Sequence, residues 1–173
     1  MSNQPLVRLI TDKEVEGKAK DLFEQIKKNT GKVPKWMRVM ANCENIMLGF
    51  FDLFQATMGE GKVERLLKWK VAYQISELNK CEFCVSVAKI QLKSFGLSDK
   101  EIEKICKIDN KKEVVAMKYT VASTCHAYNI EKKIFDSMKE SFTDEQIVEI
   151  TSVIGLFNFI NRFNDSLGVL PDI

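Results

Sequence analysis

Apolar residues recur three and four positions apart through most of the chain, a spacing that places them on one face of an α-helix. No stretch alternates with a period of two for long enough to indicate a β-sheet. The sequence therefore predicts an all-α fold of about eight helices. The predicted helices span approximately residues 11–30, 34–40, 44–57, 63–78, 81–95, 98–105, 110–127 and 143–165.

Capping patterns mark the ends of these helices. A serine or threonine followed three residues later by glutamate or glutamine forms a capping box, and this pattern occurs at 11–14, 98–101 and 143–146. Asp109 is predicted to cap the helix that starts at Asn110. Gly31, Gly96 and Gly168 are placed to end helices, because glycine readily takes the left-handed backbone of a C-cap.

Length, composition and charge narrow the class of protein. The 173 residues are 45% hydrophobic and 29% charged, which predicts a single domain over 1–173. The net charge of +2 is spread along the chain, so neither nucleic acid nor a membrane is an expected partner. We see no secretory pattern at the N-terminus, and the longest apolar run, 154–160, is short, so a cytoplasmic location is expected.

Five cysteines are the main candidates for chemistry. Cys43, Cys106 and Cys125 are isolated in sequence and are expected to be small buried hydrophobic residues. Cys81 and Cys84 form a CxxC pair at a predicted helix start, where unpaired N–H groups and the helix dipole favour a thiolate. Such a pair can exchange between dithiol and disulfide.

Two other interpretations of the pair stay open. A CxxC is also half of a zinc site, and Cys125 with His126, the single histidine, could supply two more ligands. Adjacent helical residues diverge by about 100°, however, so these two do not easily face one ion. The pair could also be buried and inert. No G-x-G-x-x-G or P-loop occurs, and neither a cofactor nor a metal is predicted.

Residues 76–85 read SELNKCEFCV, in which a serine and an asparagine lead into CxxC with an aromatic residue before the second cysteine. This signature resembles the carboxymuconolactone decarboxylase / AhpD-like family, in its alkylhydroperoxidase D branch. Segments 31–41 and 157–169 extend the resemblance over about 20–170, leaving 1–10 as an expected extended arm. The resemblance implies an all-helical fold that assembles as trimers or hexamers. It also implies a CxxC at the N-terminus of a central helix, with Cys81 and Cys84 as catalytic residues.

The sequence departs from that family at two positions. Members with peroxidase activity carry a histidine four residues after the second cysteine and a glutamate twelve residues before the first, which together relay protons. Ala88 and Trp69 stand at these positions here. Positioned acid–base groups contribute about 10²–10⁴-fold in rate, so slower catalysis or another proton donor is expected. Nearby Glu77 and Glu82 are expected to face solvent, and Tyr73 to pack.

Three functions follow as hypotheses. The first is an AhpD-like, alkylhydroperoxidase-type antioxidant oxidoreductase that acts on a peroxide or disulfide substrate and is restored by an unknown thiol reductant. The second is a homo-oligomer that kept the fold, lost efficient catalysis and serves as a binding or scaffold module. The third is a carboxymuconolactone decarboxylase-type enzyme. Arg162 is predicted to be structural, in a buried or intersubunit ion pair, and His126 to lie at the surface.

Overall fold

The computed structural model describes residues 4–105 and 110–171. Within these two ranges every regular element is helical, which confirms the all-α prediction. None of these helices is long and apolar enough to cross a membrane. The elements are α1 (Gly17–Thr30), α2 (Lys35–Met40), α3 (Glu44–Met58), α4 (Arg65–Asn79), α5 (Glu82–Ser94), α6 (Asp99–Ile102), α7 (Lys111–His126), a 3₁₀ turn (Ala127–Asn129), α8 (Lys132–Ser141) and α9 (Asp144–Ser166).

Helix α4 is the centre of the fold and packs against α5, α7 and α9. Its residues from Lys68 to Ser76 are all buried, so neighbours cover every face of this stretch. Lys68 carries a buried charge, which its ammonium group satisfies by donating to the carbonyl of Gly59 at 3.0 Å and by pairing with Glu149 at 3.1 Å. The central helix is therefore held in place by polar as well as apolar contacts.

Glu149 joins α9 to the loop that precedes α4. Its carboxylate accepts the backbone N–H groups of Lys62 at 2.7 Å and Val63 at 3.0 Å. Burial alone would raise the pKa of Glu149, but these two N–H groups and the Lys68 ammonium outweigh it and lower the pKa. A Cβ at Gly61 would lie 2.6–2.8 Å from this carboxylate, so a larger residue there would have to displace the Glu149 side chain from its hydrogen bonds.

Two of the three predicted capping boxes begin helices. Ser98 and Thr143 cap α6 and α9 with both reciprocal hydrogen bonds. The prediction at 11–14 is wrong as a helix start: Thr11 donates to Glu14 through its N–H and its hydroxyl, but this closes a turn. Helix α1 begins later, at Gly17, which has a left-handed φ of +57°.

The start of α7 and the presence of α8 also differ from expectation. Asp109 lies outside the described residues, and the side chain of Asn110 caps α7 by accepting the N–H groups of Lys112 and Glu113. Helix α8 (Lys132–Ser141) was not predicted. Its apolar residues Ile134, Phe135 and Met138 recur at helical spacing, a signal that would have found it, and of them only Met138 is buried.

Candidate active site

Cys81 and Cys84 lie where the chain passes from α4 to α5. Lys80 ends α4 with a left-handed backbone (φ +60°), and the N–H of Cys81 then donates to the carbonyl of Ser76 at 3.0 Å. This turn makes Cys81 the residue just before α5 and Cys84 the third residue of that helix. Both are free thiols, and they are 0% and 4% exposed. Any reaction therefore needs a path through the protein to the sulfur atoms.

The two thiols interact with each other, and this interaction sets which of them ionises first. Donation from the Cys81 thiol lowers the pKa of Cys84, and the same bond, together with burial, raises the pKa of Cys81. The Nδ2 of Asn164 donates to the Cys84 sulfur at 3.4 Å, and Asn161 acts in the same direction. The pair thus loses its first proton from Cys84, while Cys81 stays protonated.

Asp165, exposed on α9, is the acidic group beside this pair. After the Cys84 hydrogen bond and burial, its carboxylate adds to the rise in the pKa of Cys81. It also opposes the fall in the pKa of Cys84, because a second negative charge disfavours a thiolate. Asn164 and Asp165 follow the first cysteine by more than 80 residues, and nothing in the local sequence indicated their role.

A set of polar side chains joins α9 to the end of α4; we call Ser76, Asn79, Asn158 and Asn161 the asparagine cluster, in which Ser76 and Asn161 are buried and Asn79 and Asn158 are half-buried. The Nδ2 of Asn79 donates to Oδ1 of Asn158 at 3.0 Å and to Oδ1 of Asn161 at 2.9 Å. Asn161 in turn donates to the hydroxyl of Ser76 at 3.2 Å. These bonds fix the register of the two helices and so position Asn164, one turn further along α9, against Cys84.

An apolar cavity of about 70 Å³ borders Cys84. Two buried polar atoms on its lining residues, Nε1 of Trp69 and Oδ1 of Asn164, have no hydrogen-bond partner in the described part of the chain. Trp69 stands where the relay glutamate would, and Ala88 is fully buried. The lining residues are Trp36, Phe50, Phe54, Trp69, Phe83, Cys84, Val87, Phe157, Ile160 and Asn164.

Comparison with known proteins identifies the fold. No protein-family model and no curated protein matches the sequence. A peroxidase-related protein with an alkylhydroperoxidase AhpD core, from Ralstonia eutropha JMP134, has a TM-score of 0.86 at 16% identity and covers 97% of this chain and 92% of its own. The fold of this chain is that of the AhpD-like family. This confirms the resemblance at the level of fold.

Two further solved structures that resemble this chain are an uncharacterized protein and a debrominase. A peroxidase-related protein from Silicibacter sp. TM1040 has a TM-score of 0.82 at 20% identity, covering 97% of this chain and 89% of its own. The debrominase Bmp8, solved as a cysteine-to-alanine variant in complex with 2,3,4-tribromopyrrole, has a TM-score of 0.75 at 20% identity, covering 86% and 82%. One fold thus hosts more than one chemistry, and the activity must be argued from the site.

Of the remaining candidate residues, the two glutamates and the histidine face solvent. Glu77 and Glu82 are exposed and Tyr73 is buried, as the sequence predicts. His126 is exposed at the end of α7. Among residues 4–105 and 110–171, no group of three or more histidine, cysteine, aspartate or glutamate side chains is arranged to hold a metal ion.

Two further expectations are corrected. Cys43 and Cys125 are exposed and not buried, while Cys106 lies outside the described residues. Arg162 is exposed, so the predicted buried ion pair is wrong, and an intersubunit ion pair stays a prediction. Its guanidinium donates to the backbone carbonyl of Asn158 at 3.0 Å and to the Oδ1 of Asn158 at 2.7 Å. Arg162 therefore extends the asparagine cluster to the surface.

Proposed function

We propose that this protein is a thiol–disulfide oxidoreductase that reduces a peroxide through Cys81 and Cys84. The supporting observation is the asymmetric sulfur pair: Cys84 has a lowered pKa, accepts a hydrogen bond from Asn164 and borders a cavity, while Cys81 holds the remaining proton. A thiolate is the nucleophilic form of cysteine, and a neighbouring thiol is what a resolving step needs.

The reaction follows from this asymmetry. The Cys84 thiolate attacks one oxygen of a hydroperoxide, the O–O bond breaks, and the leaving oxygen takes up a proton and departs as alcohol or water. Cys84 is then a sulfenic acid. The Cys81 sulfur attacks it, the S–O bond breaks, and a Cys81–Cys84 disulfide and water result. The peroxide gains two electrons and the cysteine pair loses two. A dithiol reductant returns them by thiol–disulfide exchange.

The resolving step needs a base for the Cys81 proton. The carboxylate of Asp165 is the acidic group beside Cys81, and its exposure lets it exchange protons with water. This arrangement differs from a histidine–glutamate relay, which would act on the first step. Because general acid–base help contributes about 10²–10⁴-fold, we expect the attack on peroxide to be slower here than with a relay.

The test uses a protein in which Cys81 and Cys84 are the only cysteines, so that no other thiol reacts. In a background in which Cys43, Cys106 and Cys125 are replaced by serine, reaction with hydrogen peroxide followed by acid quench and denaturing alkylation should leave no alkylatable thiol. The intact mass should fall by two hydrogens. With Cys81→Ser added, oxidation should stop at a sulfenic acid that dimedone traps, whereas Cys84→Ser should form neither product. Full alkylation of both thiols after excess oxidant would refute the proposal.

The size of the cavity argues against debromination as the activity. An engineered cavity of about 150 Å³ holds benzene, and the cavity beside Cys84 is about half as large. A ring bearing three bromine atoms is larger than benzene and does not fit without opening of the aromatic walls. If the protein releases bromide from 2,3,4-tribromopyrrole in the presence of a dithiol, this argument fails.

The binding-module hypothesis makes a different prediction for the cysteines. It requires that Cys84→Ser leave the protein's cellular role intact, whereas an oxidoreductase loses that role. Assembly as a trimer or hexamer, which the family resemblance implies, belongs to both hypotheses and does not separate them. Peroxide tolerance of cells that carry Cys84→Ser, compared with cells that carry the exposed-site variant Cys43→Ser, distinguishes the two.

A further inference from the structure

Two polar atoms without partners belong to residues that line the cavity beside Cys84. The indole Nε1–H of Trp69 is a donor only, and the Oδ1 of Asn164 is an acceptor. Trp69 is 5% exposed and Asn164 is 0% exposed, so neither atom is paired with bulk water. Buried polar groups are normally hydrogen-bonded, and exceptions call for a reason. A ligand that brings both an acceptor and a donor would satisfy this pair.

A hydroperoxide has that complementarity. Its oxygen lone pairs accept from an N–H, and its O–H donates to a carbonyl oxygen. We propose that Trp69 Nε1–H and Asn164 Oδ1 form a two-point hydrogen-bonding site that holds a small hydroperoxide against Cys84. The inference rests on the proposed function and adds its substrate-binding residues. Asn164 serves both reactants, since its Nδ2 already donates to the Cys84 sulfur at 3.4 Å.

The Trp69 donor also acts on the reaction itself. As the new S–O bond forms and the O–O bond breaks, negative charge develops on the leaving oxygen. A fixed N–H in an apolar, water-poor site stabilises such charge more strongly than water does. Trp69 keeps its own proton, and the leaving oxygen is protonated by water. Trp69, at the relay glutamate's position, thus supplies electrostatic stabilisation in place of proton transfer.

The cavity limits the size of the substrate. Its aromatic walls, which include Trp36, Phe50, Phe54 and Phe157, enclose about 70 Å³. This is about half of a cavity that holds benzene, so hydrogen peroxide or ethyl hydroperoxide fits and cumene hydroperoxide does not. We therefore expect turnover of ethyl hydroperoxide to exceed that of cumene hydroperoxide. Equal kcat/KM values for the two would overturn the size limit.

Binding can be measured without turnover. The chain has two tryptophans, so a ¹⁵N-labelled protein gives two indole N–H signals, which Trp36→Phe assigns. In the redox-inactive Cys84→Ser variant, titration with ethyl hydroperoxide should shift the Trp69 indole proton downfield in a saturable way. Cumene hydroperoxide should not. A Trp69 signal that ethyl hydroperoxide leaves unmoved would overturn the site, including the case in which the cavity holds only water.

Kinetics supply the second readout. Trp69→Phe keeps an aromatic ring and removes the N–H, and kcat/KM for ethyl hydroperoxide should fall about 10²-fold. Reduction of the preformed disulfide by dithiothreitol should keep its rate, because that step does not use the donor. Tyr119→Phe is the matched control: it keeps the ring and removes a hydroxyl that hydrogen-bonds Thr151 at 3.0 Å, away from the cavity, and it should leave kcat/KM unchanged.

The two proposals fail in different ways. If the unaltered protein forms no disulfide with any hydroperoxide, the proposed function is wrong, while the indole titration still decides whether the site binds. If disulfide formation occurs and Trp69→Phe reacts as fast as the unaltered protein, the function stands and the role of Trp69 is refuted.

Discussion

The asparagine cluster and the apolar cavity both connect to Cys84 through α9, but they differ in whether the polar atoms of α9 are fully hydrogen-bonded. In the cluster, Asn161 has hydrogen bonds on both ends of its amide, with Asn79 at 2.9 Å and Ser76 at 3.2 Å. In the cavity, Asn164 donates from Nδ2 to the Cys84 sulfur, whereas its Oδ1 and the Nε1 of Trp69 have no hydrogen-bond partner among the described residues. One turn of helix separates the two arrangements.

This contrast indicates that the two regions have different roles, the cluster in stability and the cavity in function. A fully bonded buried network rigidifies the structure, whereas a buried group without a partner lowers stability. We interpret the cluster as the set of contacts that fixes α9 against α4. In the cavity, the polar atoms without partners lower stability but are available to bind a ligand. Variants in the first region should change the free energy of unfolding, and variants in the second should change reactivity.

The largest expected effect is on stability, from Asn161→Ala. The change removes the hydrogen bonds of Asn161 to Asn79 and Ser76, each worth about 0.5–1.5 kcal/mol, while Asn79 keeps Asn158 and Ser76 keeps the carbonyl of Ala72. We expect the free energy of unfolding to fall by about 1–3 kcal/mol in urea denaturation. Asn45→Ala, at an exposed position of α3, is the control. A loss no larger than in the control would contradict the structural role of the cluster.

The next effect is on the ionisation of Cys84, from Asn164→Ala. The Cys81 thiol and then Asn164 lower the pKa of Cys84 by donating to its sulfur, while burial opposes them. Removing the Asn164 donor disfavours the thiolate, so the pKa rises and the alkylation rate at neutral pH falls. Iodoacetamide rates measured against pH should therefore follow a curve displaced to higher pH. A curve displaced to lower pH, or unchanged, would show that Asn164 does not stabilise the thiolate.

The smallest effect is expected from Asp165→Asn. The carboxylate opposes the ionisation of Cys84, so its removal should lower the pKa and displace the same alkylation curve to lower pH. Because Asp165 is exposed, water and salt screen its charge, and the displacement should shrink as salt is added. Asp136→Asn, in an exposed ion pair on α8, should leave the curve in place. A displacement that salt does not reduce would point to a hydrogen bond and not to charge.

Local signals predicted much of the fold. The capping boxes at Ser98 and Thr143 begin helices as expected, because a cap and its partner are three residues apart and their bonds form wherever that segment turns into a helix. At Thr11 only the half of the box in which Glu14 accepts from Thr11 forms, and the segment closes a turn that does not continue into a helix. The predicted burial of Cys43 and Cys125 is also wrong, because an isolated residue carries no periodicity from which burial can be predicted.

The sequence by itself determined the helical class, the family resemblance and the two sulfur atoms, since each depends on residues within a few positions of one another. Only the tertiary structure decided which sulfur ionises and what surrounds it. Asn164 and Asp165 reach Cys81 and Cys84 because α9 packs on α4 and α5, contacts between residues about 80 positions apart. Charge and hydrogen bonds act through space, so the environment of Cys84 is set by packing that no local pattern records.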